Sequence, residues 1–245
     1  MPRRLPWLIA TVAGSVCAAA PVQAGTLDVS PVLIDVVGTK ASATSLNLRN
    51  RGTDPVAVQL RVFRWRQENG ADVLEPTSAV SASPPFAKLP AGAPYVVRLV
   101  RTDAGPIVGE ETYRLLIDEL PRPQSSAGGN IQLAVRYSLP VFFRTPMANV
   151  TNVSWTAETT NGSLALTASN RGSRRARIAN LRLIAADGTA VSVGSGLAGY
   201  ALGQGGHRWT LALPARFVLA GAHVEYADEQ GSQQASVLII TKPLF

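Results

Sequence analysis

The sequence has 245 residues, 46% hydrophobic and 16% charged, with one Cys and two His. That apolar content excludes a disordered chain, the length suits one or two domains with their own cores, and a lone Cys excludes a disulfide framework or cysteine-based metal site. Lys and Arg total 23 against 16 Asp and Glu, a formal net charge of +7, and His207 and His223 leave little for zinc chemistry or a histidine-based triad.

The chain begins with a segment to be set aside. Arg3 and Arg4 form a basic start, Leu5 to Ala20 is an apolar run, and Val22-Gln23-Ala24 is a small-x-small cleavage pattern. Residues 1–24 therefore read as a signal peptide cleaved after Ala24. Val16 is too bulky for lipoprotein cleavage before Cys17, so the exported chain is expected to be soluble and free of cysteine. No other stretch reaches about 18 apolar residues, so no stable membrane insertion is expected. Without Arg3 and Arg4 the formal charge falls from +7 to +5. A basic surface attracts nucleic acid, anionic lipid, polysaccharide or a carboxylate, and export disfavours nucleic acid.

Nearly every later segment reads as strand and turn. Thr26 to Val36 is a β-rich opening, with Pro31 suited to an edge or a switch between sheets. Ser45 to Asn50 and Val56 to Val62 alternate apolar and polar residues with period two. Asn69-Gly70 marks a tight hairpin, because both central residues of a type I′ turn need positive φ. Tyr95 to Thr102 and Thr112 to Leu120 are further strands, followed by one long strand from Ile131 to Phe143. After a boundary near residues 144–150 a second series starts at Asn149 to Trp155. It continues through Ser163 to Asn170, Ala176 to Ala185, Thr189 to Val193, Arg208 to Leu213, Val224 to Tyr226 and Ser236 to Thr241. Strands at this spacing, without a sustained helical period, predict two antiparallel β-sandwiches, an all-β fold. The two halves show no convincing internal repeat.

One strand stands apart. Ile131, Leu133, Val135, Tyr137, Leu139, Val141 and Phe143 occupy every second position, after the polar run Gln124 to Asn130. A strand puts alternate side chains on opposite faces, so all seven could face their own core. Alternatively, the first few project past the sheet and are offered to another polypeptide as an added strand. Main-chain pairing would then supply affinity and the alternate side chains would fill pockets.

Several motifs near this strand carry a resemblance. Ser83-Pro84-Pro85-Phe86, then Leu89-Pro90-Ala91-Gly92 and Val97-Arg98-Leu99, resemble the proline pair, Leu, Gly and Val-Arg strand of the periplasmic pilus-assembly chaperones of the chaperone–usher pathway. Tyr113 to Pro121 is similar to that family's strand ending in Glu, an aliphatic residue and Pro, and Leu133 to Arg144 to its donor strand and closing Arg. Arg61 to Trp65 and Glu110 to Leu115 look closer to the archaic, sigma-type branch.

The resemblance covers residues 25–245 and implies two immunoglobulin-like domains, 25–146 and 147–245, in the periplasm. It implies that Ile131, Leu133 and Val135, with Tyr137 next in the row, complete a pilus subunit's unfinished sandwich by donor-strand complementation. The implied partners are such subunits and an outer-membrane usher. A buried interdomain ionic cluster of Glu119, Arg144 and either Asp228 or Glu229 is also implied. Better-known members bind the subunit's C-terminal carboxylate with an Arg and a Lys, and those positions are Leu33 and Pro140 in this chain. A buried carboxylate still needs cations, and Arg101, then Arg98 and Arg136, are the candidates. No cofactor, metal or nucleotide is expected, since the mature chain lacks a Gly-rich lysine loop. Self-association of the unbound chain is left open.

Other classes are weighed on particular residues. An exported adhesin or glycan-binding module would want exposed Trp or Tyr, whereas Trp65, Trp155 and Trp209 sit within strand patterns that suit a core. An enzyme would need paired groups, but Glu110-Glu111 and Asp118-Glu119 are neighbours on strands and so point to opposite faces. His223 lies in a strand-like run. Pilus subunits are typically incomplete single domains, which two sandwich signatures argue against.

Overall fold

The computed structural model describes residues 27–38, 42–121, 134–148, 150–160 and 163–240. The first ten strands are β1 (Leu27–Ser30), β2 (Ile34–Val37), β3 (Ala43–Asn50), β4 (Val56–Glu68), β5 (Ala71–Pro76), β6 (Val80–Ser83), β7 (Phe86–Leu89), β8 (Pro94–Arg101), β9 (Glu110–Glu119) and β10 (Arg136–Arg144). Eight more follow: β11 (Val153–Thr160), β12 (Ser163–Asn170), β13 (Ala176–Ile184), β14 (Ala190–Ser192), β15 (Leu197–Ala201), β16 (Gly205–Ala212), β17 (His223–Asp228) and β18 (Gly231–Ile240). No helix forms among the described residues. The long strand expected from Ile131 is described from Arg136 onward, and residues 131–133 lie outside the described residues.

Period-two alternation decides which faces meet. Leu46 and Leu48 of β3, Val58 and Leu60 of β4, Val97 and Leu99 of β8, Leu115 and Ile117 of β9 and Val141 and Phe143 of β10 are buried in one core. That core lies between a four-stranded sheet, β1-β3-β8-β6, and a second sheet, β2-β10-β9-β4-β5, with β7 also on β4. The chain changes sheets around Pro31, as the sequence suggests: β1 pairs with β3, then β2 pairs parallel with Val141–Arg144 of β10. The second sandwich closes in a related way around a core containing Trp155, Leu164, Leu166, Ile178, Leu183 and Val224. Its order is β14-β13-β17-β18-β11-β12-β16, with β15 on β13. β18 joins its two halves: Gly231–Ser236 pairs antiparallel with β17, and Val237–Ile240 parallel with β11.

The two halves do share a short repeat, whose common role is visible only in the fold. β3 and β12 both end in an Asn followed by Arg-Gly: Asn50-Arg51-Gly52 and Asn170-Arg171-Gly172. The Asn50 carboxamide donates to the carbonyls of Asp54 (2.7 Å) and Leu89 (3.2 Å) and accepts from the Gly52 amide (2.9 Å). Asn170 donates to Arg174 (2.7 Å) and Ala201 (3.0 Å) and accepts from the amides of Gly172 (2.9 Å) and Asn152 (3.0 Å). Each buried Asn thus ties its own loop to a distant strand. Gly172 is required there, since a Cβ would stand 2.3 Å from the Val150 carbonyl oxygen.

The hairpin expected at Asn69-Gly70 forms, with φ of 53° and 82°. It also reaches the second sandwich, where the Arg208 amide donates to the Gly70 carbonyl at 2.9 Å.

Candidate functional site

β10 has β9 along one edge for its whole length but β2 along the other only at Val141–Arg144. The Glu119 amide donates to the Val135 carbonyl at 3.0 Å. Hydrogen-bonded pairs alternate in an antiparallel ladder. Tyr137 and Leu139 therefore bond β9, while the amides of Arg136 and Ser138 and the carbonyls of Arg136, Ser138 and Pro140 face the other way. Among the described residues no strand covers that stretch. Pro140 falls at a position whose missing N–H would point to the open side, so it costs no bond to β9.

The inward row of β10 is committed to its own sandwich. Leu139 is buried, and half-buried Tyr137 packs on the same core and donates from its hydroxyl to the Leu27 carbonyl at 2.9 Å. Tyr137 is therefore a core residue as well as a member of the expected donor row. Val135 is half-buried just ahead of β10, and Ile131 and Leu133 lie outside the described residues.

The expected carboxylate anchors are dispersed. Arg101 is 1% exposed; it holds Glu111 through two bonds of 2.8 Å and donates to the carbonyls of Asp103 (2.5 Å) and Gly105 (2.8 Å). A guanidinium so fully satisfied is structural, which corrects the choice of Arg101. Arg98 is exposed on β8 in the opposite sheet, away from β10. Arg136 pairs with Asp118, which also holds Arg61 at 2.8 Å. A cation outside these candidates, Arg114, also lies beside β10. It is the register partner of Pro140, on the outer face of β9, with its guanidinium 3.7 Å from the Trp65 ring centroid. Its carboxylate partner Asp72 is 3.8 Å away, and burial pushes its pKa below the usual guanidinium value. Strand register, which local motifs do not carry, is what sets it beside Pro140.

The domain junction is ionic, but with other members than expected. Arg144 pairs with Asp35 at 2.9 Å, Asp35 with Arg175 at 2.8 Å, and Arg175 with Glu110 through its guanidinium and, at 2.8 Å, its backbone amide. Glu119 cannot join them, because it stands at the other end of β9 from Glu110, the register partner of Arg144. Asp228 instead accepts from the Gln230 amide (2.7 Å) and the Gln233 side chain (3.3 Å) in the turn between β17 and β18, which also contains Glu229. Arg175 lies 3.6 Å over the Phe142 ring, and Phe142, Trp65, Tyr200 and Leu202 form an apolar cluster between the sandwiches. Gln67 adds a clasp, donating to the Tyr200 carbonyl (2.7 Å) and accepting from the Leu202 amide (2.9 Å).

Charge pairing here makes stability depend on pH. Burial opposes ionisation of Asp35, Glu111 and Asp118, yet their arginine bonds hold all three below the usual carboxylate range. Such groups stabilise the fold above their unfolded pKa, and that contribution is lost as pH falls through the folded one. Burial raises Glu110 and Glu119, which act in the opposite sense over the range just above their ordinary value. Urea midpoints should therefore hold or rise slightly on mild acidification and fall below about pH 4. A Glu110→Gln variant should lose Glu110's part of the mild-acid rise.

The alternative site residues are absorbed by the fold. Trp65 and Trp155 are buried, and Trp209 stacks on Trp155 with its indole donating to the Ala198 carbonyl at 3.1 Å. Glu110 and Glu111 bond opposite faces of β9 (Arg175 and Arg101), so they do not form a catalytic pair.

A family model described as pili and flagellar-assembly chaperone, PapD N-terminal domain, matches residues 27–148. Among solved structures, a chain of the CsuC–CsuE chaperone–tip adhesion subunit pre-assembly complex of Acinetobacter baumannii is 24% identical, covering 88% of this chain and 100% of that one, with a TM-score of 0.66. The YadV chaperone is 16% identical over 86% of this chain and 99% of its own, with a TM-score of 0.61. The Salmonella enterica SafA pilin–SafB chaperone complex is 17% identical over 88% and 98%, with a TM-score of 0.58. At these identities the likeness is one of fold, two immunoglobulin-like β-sandwiches. No curated protein matches the chain.

Proposed function

We propose a capping role from one premise: through residues 27–148 this chain belongs to the pili and flagellar-assembly chaperone family. In this reading it is a periplasmic chaperone, exported by residues 1–24, that binds a pilus subunit and delivers it to an outer-membrane usher. The open edge of β10 carries the proposal, since unpaired N–H and C=O groups on a strand are a template for another strand. Ile131, Leu133 and Val135 continue the parity of Tyr137 and Leu139 and are the side chains offered to the subunit. Arg114 takes the place of Arg101 as the anchor of the subunit's C-terminal carboxylate. It is a part-buried cation beside Pro140, and a charge-assisted bond to a carboxylate is strongest where water is sparse.

The test is recovery of partners by the tagged mature chain from its native periplasm, beside Leu133→Glu and Arg114→Ala. The parent should bring down a small β-rich subunit, folded Leu133→Glu should not, and Arg114→Ala should retain it at least tenfold more weakly. Equal recovery by the parent and Leu133→Glu would refute capping by this strand. Undiminished retention by Arg114→Ala would remove the anchor alone.

A further inference from the structure

We propose that Asp118 is a positioning residue that fixes the root of the donor strand before any subunit arrives; the inference rests on the capping reading above. Asp118 is the register partner of Arg136, the first residue of β10, and of Gln59 on β4. One carboxylate oxygen accepts from Arg136 and the other from Arg61 at 2.8 Å, so a single side chain ties β10, β9 and β4 together on the outer face. Its side chain is 13% exposed, against 40% for Arg61 and 60% for Arg136, so the anion is the sheltered centre of the group. Burial works against its charge, and the two arginines more than offset this.

The location gives this small cluster its importance. At Arg136 the strand has a ladder on one side only, and a one-sided strand end is where fraying starts. On the inner face the same level is tied by the Tyr137 hydroxyl to Leu27, and on the outer face by Arg136 to Asp118. Beside the outer tie lies a cleft of about 380 Å³ whose lining includes Ala134 and Val135, the described residues next in sequence to Leu133. A segment whose root is held on both faces has fewer directions to lose when a partner binds, which lowers the entropic cost of capture. Exposed ion pairs add little to global stability, so the expected effect is local.

The free mature chain provides the first readout, amide hydrogen exchange in Asp118→Asn and Asp118→Glu. Exchange at Tyr137 and Glu119 should quicken about tenfold in Asp118→Asn, with little change at Leu115 or Leu60, and return towards the parent in Asp118→Glu. High salt should quicken the parent at the same amides and leave Asp118→Asn unchanged, as expected when the lost restraint is ionic. A nitroxide on Leu133→Cys should become more mobile in the Asp118→Asn background. Unchanged exchange, or exchange quickened equally throughout β9 and β4, would overturn the proposal. These measurements need no subunit, so they stand apart from the capping reading, which Leu133→Glu decides. If Leu133→Glu abolishes capture while Asp118→Asn captures as fast and as tightly as the parent, capping survives and the positioning role falls.

Discussion

Arg175→Met should cost about 3–5 kcal/mol of unfolding free energy, the typical loss when one partner of a buried ion pair is removed. The side chains of Arg175 and Glu110 are each 2% exposed, so the Glu110 carboxylate would lose its countercharge, keep only the backbone amide of residue 175, and have no solvent to turn to. Asp35 would keep only Arg144, and the Phe142 ring would lose its overlying cation. Replacing both partners, Arg175→Met with Glu110→Leu, should recover most of the loss, because two apolar side chains do not need each other's charge. Guanidinium titration of the single and double variants decides the matter. Equal destabilisation by both would mean that shape, rather than uncompensated charge, sets the cost.

Asn50→Ala and Asn170→Ala should each cost about 3 kcal/mol, since each strands several buried backbone groups worth roughly 1–3 kcal/mol apiece when left unpaired. The larger loss is expected at Asn170, which makes four bonds against three at Asn50. Asn→Asp should rescue neither, because both carboxamide donors face carbonyl oxygens that a carboxylate would repel. The two corners sit in different sandwiches, so the double variant should be additive to within roughly 0.5 kcal/mol. Hydrogen exchange in each sandwich separately measures this, and a loss confined to under about 1 kcal/mol would show that water replaces the carboxamide.

The strand series and its alternation were legible because period two needs only local sequence. Leu46, Leu48, Leu115 and Val141 declare their face without knowledge of their partners. Register is not local, and the misassigned ionic cluster shows the consequence. The family resemblance sets Arg144 at the junction beside Glu119, at the end of β9 that carries the motif, whereas antiparallel pairing sets it against Glu110. Arg175 and Asp35 escape a local reading for the same reason, being joined to the junction by a contact between residues 140 apart. Arg101 misled differently: a basic residue at a strand end gives no hint that Glu111 and two loop carbonyls will satisfy it completely. The Asn-Arg-Gly repeat was too short to notice as sequence and becomes a repeat only through its identical bonds.

The strand β18 has a consequence for the order in which the chain can fold. Val237–Ile240 and Gly231–Ser236 belong to different neighbours, so β11 and β17 have no common strand until the last ten described residues are in place. The earlier sandwich is closed by β10 and is complete some ninety positions sooner. Contacts between distant parts of a chain form slowly, and the pairing of β18 with β11 is among the most distant in the second half, whereas β17 and β18 meet as a hairpin. A chain released from its N-terminal end can therefore form the first sandwich before the second, giving a surface on which Tyr200 and Leu202 dock late. A chain stopped just before Gly231 would keep the first sandwich and leave the second without its seam.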